Sequence, residues 1–211
     1  MSKAPLDQQL ETIIRLSFVA EFRDSDTGNH LQRVSLLATL LAEQLGLSAE
    51  DTSLIALAAP MHDVGKVAIP DDILLKPGRL TPDERRVMQD HTVIGMRLLA
   101  DGGSDLLKMA CRITRGHHEH WDGNGYPDGI GGDSIPIEAR IVAVVDVYDA
   151  LVTRRVYKPA ASHEEAAEIL RNGSGTHFDP AVVDAFFQAE DRVLAIMAEY
   201  GDDEDDGEWT V

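Results

Sequence analysis

The 211-residue chain has a single cysteine, Cys111, only 5% aromatic residues and 19 basic residues against 37 acidic ones. Each shortage excludes something. One thiol can neither close an internal disulfide nor build a cysteine-rich metal site, so a metal here must be held by His, Asp or Glu. The net charge of −18 argues against a general surface for duplex DNA or RNA, because phosphate backbones are bound by an excess of cations. No apolar run approaches the ~20 residues that span a bilayer. The start, Met1-Ser2-Lys3-Ala4-Pro5-Leu6-Asp7, lacks the apolar core of a signal peptide. The expectation is a cytoplasmic protein with no membrane partner. Six of the acids lie between Asp202 and Glu208, and without them the charge is −12. Such a run builds no core, so residues 201–211 are expected to form a disordered tail.

What is present is helical periodicity. Hydrophobic residues make up 44% of the chain, ordinary for a soluble domain. Leu6, Leu10, Ile13, Ile14, Phe18 and Phe22 predict a first helix, ending near Asp24–Gly28. A second follows His30, with Val34, Leu37, Leu41 and Leu45 on one face and Gly46 as its stop. Ser48 caps a third, with Leu54, Leu57 and Met61 on its face, which delivers His62-Asp63 at its C-terminal end. A loop runs from Ile69 to Leu80. Thr81-Pro82-Asp83-Glu84 is a capping box with proline in the first turn. Val87, His91, Ile94 and Leu98 share one face of the helix that follows. Residues 105–118 form another helix, and the Gly-, Asp- and Pro-rich residues 121–136 a loop. Ile141–Val145 is ambiguous between buried strand and buried helix, and the length of 137–153 favours helix. Ser162 caps a short helix, and Asp179-Pro180 starts the last one. The fold class is all-α, with one domain over residues 1–200.

Into this pattern fall polar residues that a core does not accept readily. His62-Asp63 offers an imidazole and a carboxylate from adjacent positions, to one metal or, if the carboxylate bridges, to two. Alone, the pair is equally an Asp bonded to its neighbour. His91 lies on an apolar face, where a hydrogen-bonded core histidine is the plain alternative. Asp146 follows five apolar residues, and a buried carboxylate needs a cation or donors. Asp149, one turn on, competes for that role. His117-His118-Glu119-His120 is a dense group beside the loop. Neighbours on a helix diverge by about 100°, so His117 and His118 suit two adjacent ions better than one. His30 follows Asp26 at same-face helical spacing. Asp26, His30, His62, Asp63, His91, His117, His118 and Asp146 are too many ligands for one ion. Two ions sharing Asp63, about 3.5–4 Å apart, would use them. Oxygen and imidazole donors without thiolate suit iron, manganese, zinc, nickel or cobalt. Lys66 adds a cation where an anion could dock.

These blocks, in this order, resemble the HD-GYP subgroup of the HD-domain phosphohydrolases. The resemblance covers residues 20–190 and is carried by Asp26-Thr27-Gly28-Asn29-His30, His62-Asp63-Val64-Gly65-Lys66, Ile69-Pro70-Asp71, Leu75-Lys76-Pro77-Gly78 and His91-Thr92 with Gly95. It continues through His117-His118-Glu119-His120-Trp121-Asp122-Gly123-Asn124-Gly125-Tyr126-Pro127, Asp146-Val147-Tyr148-Asp149-Ala150-Leu151 and Gly175-Thr176-His177-Phe178-Asp179-Pro180. The family implies a single helical bundle with a Gly/Pro-rich loop at Gly125-Tyr126-Pro127. It implies hydrolysis of cyclic di-GMP to linear pGpG, and in some members on to GMP. All eight residues above are carried over as metal ligands, with iron or manganese foremost. Asp26 stands where three-metal members have Glu, and its shorter reach favours two ions over three. Lys66, Tyr126, Arg155 and Lys158 match substrate-binding positions. Many relatives carry a receiver or sensor domain, so the chain is either a stand-alone enzyme or an excised domain. A homodimer or a signalling-protein partner is compatible with either.

The implied chemistry is in-line attack on a phosphodiester with departure of a ribose 3′-oxygen, the nucleophile being a hydroxide shared by two metals. Asp63 and Lys66 are the catalytic candidates, Lys66 by neutralising the scissile phosphate. Arg155 and Lys158 would hold the other phosphate, the alternative being a solvated basic helix end. Other readings are a different cyclic dinucleotide or nucleotide substrate, or a catalytically weak cyclic di-GMP receptor.

Overall fold

The computed structural model describes Ser17, Arg23 and residues 28–100, 103–153 and 160–201. The expected first helix, apart from Ser17 and Arg23, lies outside the described residues, as do Asp26, Arg155, Lys158 and the acidic run after Gly201. The described α-helices are α1 (Gly28–Gln44), α2 (Ala49–Ala58), α3 (Asp71–Leu74), α4 (Pro82–Gln89), α5 (His91–Leu99), α6 (Asp105–Gly116), α7 (Ile137–Val152), α8 (His163–Gly173), α9 (Pro180–Gln188) and α10 (Glu190–Glu199). Among the described residues there is no sheet, only one isolated bridge between Ser174 and Phe178. None of the described helices is long and apolar enough to cross a membrane.

α7 is the central element. It packs against α1, α6, α8 and α9. Ile141, Val142, Val144 and Val145 are all at most 1% exposed, which explains why no amphipathic stripe could be read there. Their β-branched side chains cost a helix up to about 0.7 kcal/mol each, whereas burial returns roughly 1.5–3 kcal/mol each. Packing therefore decides for helix. Leu37 and Leu41 of α1, Ile55 of α2, Ile113 of α6 and Phe186 of α9 complete the core around it.

Caps set several of the boundaries. Ser48 accepts from the Asp51 backbone N–H, and Thr81 and Ser162 each form a capping box with a glutamate three residues on. Three expected helices are interrupted. The third stops at Ala58 and continues as a 3-10 turn, Ala59–Met61, with Pro60 in its first positions. Pro60 has no N–H for the Ala56 carbonyl four residues back, and the Ser35 hydroxyl donates to it instead at 2.6 Å. The helix after Thr81 is two helices, broken at Asp90, so Val87 stands on a different helix from His91, Ile94 and Leu98, and Leu98, near the far end of α5, is 56% exposed. The last helix is also two. Its break at Ala189 lets Val183 and Phe186 of α9 and Val193 of α10 all reach the core. The loop expected from Ile69 holds the short α3.

Candidate metal centre

α1 carries His30 in its first turn. His62 and Asp63 sit between two 3-10 turns, Ala59–Met61 and Val64–Ala68. Gly65 in the second turn lies flat on α5: a Cβ there would stand 1.9 Å from the His91 carbonyl oxygen and 2.6 Å from the Gly95 nitrogen. This contact, open only to glycine, brings Asp63 to His91, the first residue of α5. α6 ends at Gly116, so His117 and His118 leave the helix. Their rings lie 4.0 Å apart at 40°, and the divergence expected of helical neighbours does not apply. Asp146 is delivered from the middle of α7.

The structure gathers seven of the eight expected ligands into two adjacent groups, Asp63, His91, His117 and His118 in one, and His30, His62 and Asp146 in the other. Within each group one donor atom per residue lies within 4.8 Å of the others. Asp63 faces both groups. Its Oδ1 is 3.1 Å from His91 Nε2 and 3.5 Å from His117 Nε2, and its Oδ2 is 3.4 Å from His62 Nε2. His62 Nε2 is also 3.6 Å from Asp146 Oδ1.

The tautomers follow from the opposite ring nitrogens. His62 Nδ1 donates to the Ala59 carbonyl at 3.0 Å, His91 Nδ1 to Met88 at 2.7 Å, and His117 Nδ1 to the Ile113 and Thr114 carbonyls at 3.2 and 3.1 Å. A carbonyl only accepts, so each Nδ1 carries the proton. In the neutral rings Nε2 is then a lone pair. The three Nε2 atoms and Asp63 Oδ1 are buried without a hydrogen-bond partner. Lone pairs facing a carboxylate repel unless a cation lies between them. The donor set therefore fits divalent metal ions.

The local electrostatics agree. Burial pushes the carboxyl of Asp63 up, but Lys66 and His62 outweigh it and hold it well below the usual range. Asp146 is likewise pushed up by burial and pulled far down by His62. Burial lowers His62, but Asp63 and Asp146 win and raise it, so the two carboxylates demand positive charge between them. Burial holds His118 low, with His117 and His91 adding to it.

Lys66 Nζ lies 2.8 Å from Asp63 Oδ2. Tyr126 stacks on His118 with ring centroids 4.7 Å apart, and burial raises its phenol. Three further residues support the site: Asp149, read from the sequence as the alternative to Asp146, and Glu119 and Arg23, for which no role was read. Asp149 accepts from His30 Nδ1 at 2.7 Å and from Arg33 Nε at 2.5 Å, so it orients the His30 ring while Asp146 faces the centre. His30 to Arg33 and Asp146 to Asp149 share an i, i+3 spacing, the one signal that could have paired them. Buried Glu119 accepts from the Asp128 backbone N–H at 2.6 Å, pinning the loop that carries Tyr126. Arg23 donates to the carbonyls of Lys66 (2.8 Å), Val67 and Ile69 (2.9 Å) and to Asp71 (2.6 Å), clamping the turn behind Lys66.

A family model described as an HD domain matches residues 16–182. A cyclic di-GMP phosphodiesterase of Vibrio cholerae is 47% identical over 203 residues, which are 90% of this chain and 41% of that protein. The 3′3′-cGAMP-specific phosphodiesterase 2 of the same organism is 42% identical over 192 residues, 91% of this chain and 37% of that protein. Among solved structures, a cyclic GMP-AMP-specific phosphodiesterase of V. cholerae matches with a TM-score of 0.66 at 20% identity, covering 88% of this chain and 50% of that one. It bears out the helical bundle. The chain spans half the length, or less, of each of these relatives.

Proposed function

We infer, since the chain belongs to the HD domain family, that its His/Asp centre holds two divalent metal ions and hydrolyses cyclic di-GMP to linear pGpG. One observation carries the reading: three buried Nε2 atoms converge on Asp63 with no hydrogen-bond partner. Asp63, His91, His117 and His118 would hold one ion, and His30, His62 and Asp146 the other, with Asp63 contributing to both. Asp26, outside the described residues, would complete the second set. Imidazole and carboxylate donors suit iron, manganese, zinc, nickel or cobalt, and the family resemblance puts iron or manganese foremost. Divalent ions bound in such a site lower the pKa of water and neutralise phosphoryl charge.

The chain's own residues supply the rest. Lys66 would hold a non-bridging oxygen of the scissile phosphate from beside Asp63. Tyr126, its ring stacked on His118, would wall the pocket and meet a base or ribose. Arg155 and Lys158, outside the described residues, would hold the second phosphate. The 47% identical relative named for cyclic di-GMP supports that substrate, and the 42% identical one named for 3′3′-cGAMP supplies the second reading.

The test is anaerobic loading with iron or manganese, metal analysis, and kcat/KM on both dinucleotides. Two metal equivalents and conversion of cyclic di-GMP to pGpG are expected, with both lost in Asp63→Ala. At most one equivalent, or no hydrolysis by the loaded protein, would overturn the reading. A tenfold preference for 3′3′-cGAMP would replace the substrate and leave the centre in place.

A further inference from the structure

We propose that Arg33 is a positioning residue for the His30 side of the centre, and that it makes the hold on His30 depend on how the C-terminal turn of α10 is seated. This rests on the metal reading above and deepens it.

The four ligand histidines with a described Nδ1 partner are not held alike. His62, His91 and His117 donate to backbone carbonyls three or four residues back, so each is fixed by its own turn. His30 donates instead to an ionised side chain on another helix, Asp149 of α7, at 2.7 Å. A charged acceptor makes the opposite nitrogen a stronger donor to a cation, but the imidazole is then only as well placed as the carboxylate.

Asp149 is wholly buried, so its carboxylate needs donors around it. Arg33, itself 1% exposed, meets it as a fork: Nε donates to Oδ1 at 2.5 Å and Nη2 to Oδ2 at 3.1 Å. Arg33 stands one turn after His30, so α1 supplies both the held imidazole and the cation that holds its partner. The same guanidinium reaches further. Nη1 donates to the carbonyl of Tyr200, the C-cap of α10, at 3.0 Å. Asn29, next to His30, donates to the Gly201 carbonyl at 3.2 Å. A guanidinium is rigid and planar, so the Asp149 carboxylate and the Tyr200 carbonyl cannot move independently of it. The end of α10 and the placement of His30 are thus joined through one side chain.

The test uses Arg33→Gln, which removes the fork, and Arg33→Lys, which keeps the buried charge. Imidazole nitrogen NMR of the metal-free protein reads the hold directly. The His30 Nδ1–H signal should be exchange-protected in the wild type and lost in both variants. Titration with Mn²⁺ should show one class of ion weakened tenfold or more and the other unchanged, within the 10–100-fold range typical of outer partners. Hydrogen exchange at the Tyr200 amide, which bonds to Ile196, should slow on Mn²⁺ binding in the wild type and not in Arg33→Gln. An unchanged His30 signal, or equal weakening of both ions, would overturn the proposal. A purely structural role would lower the melting temperature of the metal-free protein without separating the two ions. If the wild type binds fewer than two ions, the two-ion reading fails, and the imidazole spectrum still decides what Arg33 does.

Discussion

Asp146 and Asp149 stand one turn apart on α7, and opposite partners separate them. Asp146 meets His62 Nε2, while Asp149 meets His30 Nδ1 and the Arg33 fork. The sequence favoured Asp146 over Asp149, but what holds the two apart was not legible, because it depends on α1 lying against α7, a contact between residues more than a hundred positions apart. That histidines and carboxylates would gather was legible, since several of them fall on faces that pack inward. Lys66 shows the same limit. Its neighbourhood with Asp63 was visible, but not that Nζ would touch the Asp63 carboxylate at 2.8 Å. That contact sharpens what Lys66→Ala should do. Lys66 is a cation competing for Asp63 Oδ2, so its removal should leave bound metal near wild type. The turnover number should still fall by about 10²-fold or more, the scale of one electrostatic donor to a reacting phosphate. Arg155→Ala should instead raise KM with little change in turnover number, as expected for binding shared by ground and transition states. Metal analysis with steady-state kinetics checks both. Loss of metal in Lys66→Ala, or a pure KM effect, would reverse the assignment.

At the scale of elements, helices with strong local signals were legible and the breaks within them were not. Capping boxes at Thr81 and Ser162 are written in four residues. The interruptions at Asp90 and Ala189 have no local mark of that kind and leave the apolar pattern unbroken. The Gly-rich loop was legible as a loop, but its attachments were not. Trp121 N–H donates to the His177 carbonyl at 3.1 Å, Asp122 N–H to Thr176 at 2.8 Å, and Tyr126 N–H to His118 at 3.1 Å. Gly125 is the tightest point of this loop. A Cβ there would stand 2.2 Å from the His120 nitrogen and 2.5 Å from the His118 oxygen, both backbone atoms that cannot swing aside. Gly125→Ala must therefore push the Tyr126 segment away from His118. The core lies elsewhere, so the melting temperature should fall by only a few degrees. The turnover number should fall at least tenfold, because Tyr126 and His118 lose their stacking. Wild-type activity in Gly125→Ala would show that the loop does not shape the site.

On the scale of the whole molecule, an acidic protein is proposed to take an anionic substrate. Net charge matters most for association and least for the packed centre, where Lys66 and the metal ions proposed there would set the local sign. Residues 202–208 hold six of the acids and no apolar residue. Ending the chain at Gly201 keeps the Tyr200 and Gly201 carbonyls on Arg33 and Asn29 while lifting the net charge to −12. Melting temperature, metal content and turnover number should not change. The one expected effect is on kcat/KM at low ionic strength, which should rise by up to a few-fold as repulsion of the dinucleotide falls. That difference should vanish near 0.15 M salt, where charges more than about 8 Å apart are screened. Ending the chain at Glu199 removes the two carbonyls as well. It should weaken one class of ion and leave the other unchanged, as is expected of Arg33→Gln. The two truncations thus separate a charge effect from a seating effect. Loss of stability or turnover in the longer chain would assign the acidic run a structural role. Identical behaviour of the two truncations would mean that the contact from Arg33 to Tyr200 has no bearing on the centre.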